Sequence, residues 1–348
     1  MLHTLVVGIG RSGRDLHLPV VHRLRESGAG GALFADSAPM GYDALPPPVL
    51  DVPAGLEIVP TLAAAAALRD PARTVVHLCT PPTARVPLLH ELAALGYRRL
   101  LVEKPLGADT ATVAELRRAR DAYGLDVAVV GPWLHSSLTE RLATLVGSGR
   151  LGALRRVTVH QRKPRLGRTL RNSSHPTAFD VEPPHSVGVA LRLAGGGRVT
   201  AAEWSDATDG RRVAPRMGSA GLTLRHDGGV VTTIDCDLVA PVRERSILLE
   251  FDAGTALGHY PVSGDDPYAQ LRVTPLGMTA EHEIFHDQAM DACLLHAYRA
   301  FADGADLAAD FELQAHVVEL LEQAKRRAEH GEPAGAAAGP GKDGLHAS

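Results

Sequence analysis

The chain has 348 residues, 45% of them hydrophobic, and a formal net charge of −4. That length predicts two domains with real cores, and the slightly acidic balance excludes the basic field that draws nucleic acid or an anionic membrane. No apolar run is long enough for a membrane span and no basic leader precedes the first strand. Three widely spaced cysteines (Cys79, Cys236, Cys293) argue against a disulfide framework, so a cytoplasmic protein is expected.

Residues 2–13 read as a short apolar strand running into a glycine-rich turn. Gly8, Gly10 and Gly13 have the G-x-G-x-x-G spacing: a tight turn, a close approach to a pyrophosphate, and close packing of the next helix on the strand. The loop Gly8-Ile9-Gly10-Arg11-Ser12-Gly13 is therefore expected to hold a dinucleotide at the N-terminus of a helix over 14–27. Residues 31–36 read as the second strand. Asp36 at its end, 23 residues after Gly13, is at about the ~20-residue spacing of a ribose-binding acid, which favours NAD over NADP by repelling a 2′-phosphate.

Gly41 and the Pro46–Pro48 run make the second crossover irregular. Ile58 and Val59 suggest a short strand, and Thr61 caps a helix over 62–69. A buried strand over 73–79 leads to Thr80-Pro81-Pro82, a helix over 86–95 to a strand over 99–102, and then comes Glu103-Lys104-Pro105. A helix over 110–123 and a strand over 126–130 complete an alternation that predicts a parallel sheet covered by helices on both faces. Ligands in such sheets sit outside the carboxyl ends of the strands, where Asp36, Thr80, Pro81, Glu103 and Lys104 fall.

Beyond residue 134 the pattern changes. A helix over 138–148 precedes strand-like runs at 155–161, 198–205, 221–225, 230–236, 246–252 and 257–262, punctuated by turn residues. This predicts an open, mainly antiparallel sheet, with a helix over 184–193 between strands. Helices over 287–301 and 312–327 follow, and the Gly/Ala/Pro-rich tail from 331 is expected to be disordered. The fold class is α/β, divided as a Rossmann domain (1–133), a substrate-binding and oligomerisation domain (134–330) and a tail (331–348).

VVGIGRSG at 6–13, HLCTPP at 77–82, LVEKPLG at 101–107, SGRLGALRRVTV at 148–159 and the closing helical region resemble the glucose–fructose oxidoreductase / inositol dehydrogenase-like family of NAD(P)-dependent oxidoreductases. The resemblance implies sugar, amino-sugar or cyclitol substrates and a homodimer or homotetramer formed through the second sheet. It makes Lys104 the residue beside the nicotinamide that bonds the reacting oxygen. This is chemically reasonable, because a nearby cation stabilises a developing alkoxide. The family's D-x-x-x-H-x-x-D helix maps to His185, with Val181 and Gly188 where its aspartates stand. His185 is then the expected proton acceptor and donor. Glu182, just before Pro183-Pro184 at the helix start, would orient or charge-stabilise it, or bind a substrate hydroxyl. His175, in the polar stretch 172–179, is a further candidate for the polyol. Arg85 is expected on a helix surface.

Two patterns carry competing readings. His282-Glu283-Ile284-Phe285-His286 matches H-E-x-x-H, which on a helix presents two zinc ligands and a base; a chance match is favoured and no metal is expected. The basic run Arg162, Lys163, Arg165, Arg168, Arg171 reads as a solvated loop, or alternatively as an anion site for a phosphorylated or nucleotide-linked sugar. Against the dehydrogenase or ketoreductase stand a redox-neutral epimerase or hydrolase with retained NAD, and a non-catalytic NAD-binding module.

Overall fold

The computed structural model describes residues 1–28, 30–45, 55–171 and 175–331. The Pro46–Pro48 run, Asn172 to Ser174 of the polar stretch, and the tail after 331 lie outside them.

The first half alternates β1 (His3–Val7), α1 (Leu18–Glu26), β2 (Met40–Tyr42), β3 (Glu57–Ile58), α2 (Leu62–Leu68), β4 (Thr74–Leu78), α3 (Arg85–Ala94), β5 (Arg99–Val102), α4 (Thr110–Tyr123) and β6 (Asp126–Val129). Its six strands pair in the order β3-β2-β1-β4-β5-β6, every pair parallel. Local chemistry sets the helix ends. Thr61 accepts from Ala64 N–H at 3.0 Å, Asp109 from Thr112 N–H at 2.7 Å, and Gly124 closes α4 in the left-handed region at φ 59°, as capping chemistry requires. The strand interiors, such as Leu5, Val76, Leu78 and Leu100, are fully buried, the signature of a sheet covered on both faces.

The second half contains α5 (Ser137–Ser148), β7 (Leu154–Arg162), α6 (Leu166–Thr169), α7 (Pro183–Ala194), β8 (Gly197–Trp204), β9 (Ala207–Thr208), β10 (Val213–Ala214), β11 (Ser219–His226), β12 (Val231–Asp237), β13 (Glu244–Phe251), β14 (Gly254–His259), β15 (Tyr268–Pro275) and β16 (Glu281–His286). Eight of these strands form one sheet, β16-β15-β14-β13-β7-β12-β11-β8. It is mainly antiparallel, as expected, but not a plain meander: β7 enters between β12 and β13 and runs parallel to β12. The helices α8 (Ala289–Asp303) and α9 (Ala308–His330) close the chain. They return to the first sheet: Leu294, Tyr298 and Phe301 of α8 share a core with Val75, Leu101 and Val130, while Phe311, Ala315 and Val318 of α9 pack with Leu100, Leu116 and Val129.

One sequence expectation is corrected. Residues 31–36 are not a strand: Gly31–Leu33 is a short 3-10 turn, and Phe34 makes only an isolated bridge to Leu2. The strand beside β1 is Met40–Tyr42, with Leu5 opposite Met40, so Asp36 lies exposed on a bend and Asp43 takes the strand-end position. The H-E-x-x-H pattern, read from the sequence as a chance match, lies on β16. Along a strand the two histidines are about 13 Å apart, too far to share a metal ion. Glu283 there pairs with Arg141 instead.

Candidate active site

The glycine loop is shaped by backbone demands. Gly8 has φ 93°, and a Cβ there would stand 3.0 Å from the carbonyl carbon of Cys79. A Cβ on Gly13 would come within 2.2 Å of the Gly8 carbonyl oxygen, so only glycine lets helix and strand meet this closely. Gly10 has nothing within 4 Å of its Cβ position, leaving that side of the loop open. The helix begins with a wide π turn, Gly13–His17, which carries His17 inward. Asp43, at the end of β2, accepts the Ile9 N–H at 2.8 Å. The acid that meets the loop is therefore Asp43 and not Asp36.

The carboxyl ends of β4 and β5 supply Thr80-Pro81 and Glu103-Lys104. The Thr80 hydroxyl oxygen is buried with no hydrogen-bond partner among the described residues, an unsatisfied group beside Gly8. The expected helix-surface role of Arg85 is overturned. It is 1% exposed, and its guanidinium donates to the carbonyls of Pro105, Leu106 and Thr80. It thus ties the Thr-Pro turn to the corner that carries Lys104, and burial lowers its pKa to about 10.

Behind that corner runs a buried chain of polar groups. Glu103 Oε1 accepts from His17 Nε2 at 2.9 Å. His17 Nδ1 and His77 Nδ1 are 2.8 Å apart, His77 Nε2 is 2.9 Å from the Tyr298 hydroxyl, and that hydroxyl is 2.6 Å from Thr4 Oγ1. With Glu103 ionised, His17 must donate to it, and one proton is shared between the two Nδ1 atoms. Burial pushes the Glu103 carboxyl up, but the His17 bond with Lys104 and Arg85 nearby reverses this, and its pKa ends below the usual value. Burial drives His77 well down, so it is neutral.

Lys104 and His185 come from different halves of the chain and line one cleft, open to solvent, together with Gly131, Trp133, Leu134 and Pro184. Lys104 Nζ donates to the Val181 carbonyl at 3.2 Å. The His185 ring stacks near Trp133, centroids 5.9 Å apart, and Trp133 stacks on Tyr260 at 3.9 Å. Burial, then the charge of Lys104, lowers the His185 pKa to about 3, so the imidazole is neutral. Burial and Lys104 likewise hold His175 at about 4.

Pro183-Pro184 open α7 and Glu182 precedes them, the placement expected from the sequence. Among the described residues its carboxylate bonds not to His185 but to β7 and the residue after it: Gln161 Nε2 donates to Oε2 at 3.3 Å and Lys163 Nζ meets Oε1. Burial alone would raise its pKa; Lys163, with His185 and Lys104, holds it at about 2. Sequence reasoning missed Asp43, His17, His77, Gln161 and Tyr298. A histidine inside the apolar run 73–79 was the visible signal for His77; for Tyr298, some 220 residues away, there was none.

No protein-family model matches the chain, and no curated protein matches it either. Solved structures do. KijD10, a 3-ketoreductase from Actinomadura kijaniata in complex with NADP and TDP-benzene, superposes with a TM-score of 0.73 at 14% identity, over 93% of this chain and 97% of that one. A protein assigned as a myo-inositol dehydrogenase from Sinorhizobium meliloti 1021 gives 0.69 at 19% identity, over 95% and 98%. A protein assigned as the oxidoreductase yvaA from Bacillus subtilis gives 0.71 at 17%, over 95% and 98%. The chain has their fold. That fold joins a dinucleotide-type parallel sheet to a large open sheet, and here the cleft containing Lys104 and His185 lies between them. Among the described residues no helix is long and apolar enough to cross a membrane.

Proposed function

We propose that the chain is a nicotinamide-dependent oxidoreductase of the glucose–fructose oxidoreductase / inositol dehydrogenase-like family, acting on a CH–OH group of a sugar, amino sugar or cyclitol. The observation that carries this reading is the convergence of Lys104 and His185 on one cleft at the carboxyl end of the parallel sheet. The residues fit a dinucleotide. The loop from Gly8 to Gly13 is open at Gly10 and closed to a Cβ at Gly8 and Gly13, and the unpaired Thr80 hydroxyl offers a polar contact. Asp43 stands where a ribose hydroxyl is bound in such sheets. It favours NAD, since no basic residue occurs between it and Ala54 to meet a 2′-phosphate; the NADP in the KijD10 complex makes the choice a point for measurement.

The nicotinamide, when bound, supplies the hydride acceptor or donor. Lys104 holds the reacting oxygen and stabilises negative charge developing there. His185, neutral, takes the hydroxyl proton in oxidation and returns it in reduction. Trp133 and Leu134 limit water at the cleft wall. Glu182 acts through Lys163 and Gln161, fixing the second half of the cleft electrostatically. Self-association through the open face of the eight-stranded sheet completes the proposal.

The deciding experiment titrates the protein with NADH and NADPH by fluorescence, then screens polyols, amino sugars and keto-sugars for change in NADH absorbance. Tighter binding of NADH and turnover lost in Lys104→Ala support the reading. Absence of binding to either dinucleotide sinks it. Binding without turnover of any such substrate leaves the non-catalytic module.

A further inference from the structure

The basic run after β7 does not behave as a solvated loop throughout. Arg162, Arg168 and Arg171 are exposed, but Lys163 and Arg165 turn inward. Arg165 is 8% exposed, and its Nε and Nη2 atoms are buried with no hydrogen-bond partner among the described residues. The Thr169 hydroxyl, four residues on along the same helical turn, is also buried and unpartnered. Arg165 caps the turn that Thr169 ends, and the Thr169 N–H donates to the Arg165 carbonyl at 2.8 Å, so the two residues are neighbours. Three unsatisfied polar atoms on one turn, two of them on a cation, are costly to bury unless something binds there.

The surrounding charge points to what binds. Lys104, Lys163, Arg165 and Arg245 all act electrostatically on the Glu182 carboxylate or lie beside it, while Asp180 is taken by Lys325. Four cations thus lie within electrostatic reach of one ionised carboxylate, which only Lys163 pairs directly, and Arg11 of the glycine loop adds to the same field at Arg165. A phosphate group, carrying roughly −1.5 to −2, offsets more of that excess than a carboxylate does, and the planar guanidinium fork matches its geometry.

We propose that Arg165 and Thr169 form an oxyanion subsite, and that the substrate carries the phosphate it binds. The subsite rests on the unpaired atoms; its assignment to a substrate rests on the oxidoreductase reading. The phosphate of the dinucleotide is the other source of the same chemistry.

Inorganic pyrophosphate titrated calorimetrically into protein saturated with NADH tests this. The wild type binds it, more tightly at low salt. Arg165→Ala binds at least tenfold more weakly, Arg165→Lys several-fold more weakly, and the exposed-site control Arg168→Ala as the wild type does, with NADH affinity the same in all four. Equal pyrophosphate affinity in wild type and Arg165→Ala, or no binding to the wild type, overturns the subsite. Pyrophosphate competing with NADH, together with weaker NADH binding in Arg165→Ala, overturns the substrate assignment and gives the phosphate to the dinucleotide. Should the wild type bind no NADH, the oxidoreductase reading fails by itself, and titration of the ligand-free protein still decides the subsite. If Arg165→Ala does not fold by circular dichroism, Arg165→Lys carries the test, and unchanged affinity there overturns it.

Discussion

The ammonium group of Lys104, at the end of a strand in the parallel sheet, donates to the backbone oxygen of Val181 at 3.2 Å, just before the helix that bears His185. One hydrogen bond thus joins the two halves of the cleft at the point where chemistry is expected. The backbone oxygen holds the amine at the cleft that it shares with His185 without neutralising it, as a carboxylate in that position would. Replacing Lys104 by Ala or His185 by Ala is expected to lower kcat by about 10²–10⁴-fold. Dinucleotide affinity should change little. The check is steady-state turnover alongside NADH fluorescence titration, and loss of both together would contradict the assigned roles.

Asp43, not Asp36, is expected to govern dinucleotide affinity. Its carboxylate already meets the Ile9 amide at 2.8 Å, which orients it at the loop. Asp43→Ala should weaken NADH binding by about tenfold, the scale of one charge-assisted hydrogen bond, and narrow the preference over NADPH. Asp36→Ala, on an exposed bend, should leave both affinities unchanged.

Stability should fall in mild acid. The folded-state pKa values of His77, His135, His175 and His185 all lie below the usual 6.5, chiefly through burial; those of His135 and His175 are about 4 and that of His185 is about 3. Below pH ~6.5 the unfolded chain therefore binds more protons than the folded one. Stability is full above that pH and falls as pH drops toward the folded values, by on the order of 1.4 kcal/mol per pH unit for each such histidine. Denaturant titrations at pH 7, 6 and 5 measure the slope, and His135→Gln should reduce it. By the same low pKa, histidine protonation should not bring down kcat/KM for alcohol oxidation between pH 7 and 5.

Arg85 ties three carbonyls of two loops to one another. Arg85→Met keeps the volume but leaves those oxygens unpaired, and should cost about 2–4 kcal/mol. It should also reduce kcat, because the Lys104 corner loses its anchor. Thermal unfolding and turnover together check this; unchanged turnover in a folded variant would show that Pro105 is held by other contacts.

Tyr298→Phe removes the hydroxyl between His77 and Thr4 and should cost about 1–3 kcal/mol by leaving buried partners unsatisfied. Thr4→Val combined with it should cost less than the two changes summed, which a double-mutant cycle reads directly.

Local chemistry was written plainly in the sequence wherever one residue type alone could serve. Gly8 and Gly13 occupy positions where a Cβ collides with backbone, Thr61 caps its helix through its own side chain, and the buried strands β4 and β5 announce themselves by apolar runs. The strand β15 was legible too, through its alternation of exposed and buried residues, though it went unread. Its neighbour β16 was not, because an exposed edge strand has no buried face to pattern it. Tertiary structure alone decided whether 31–36 or 40–42 would pair with β1, since both are short, glycine-containing apolar runs and only the partner's register separates them. It alone turned Arg85 and Arg165 inward, and it alone brought Tyr298 to His77, because burial and long-range contact depend on what the rest of the chain places alongside and not on the residue or its neighbours in sequence.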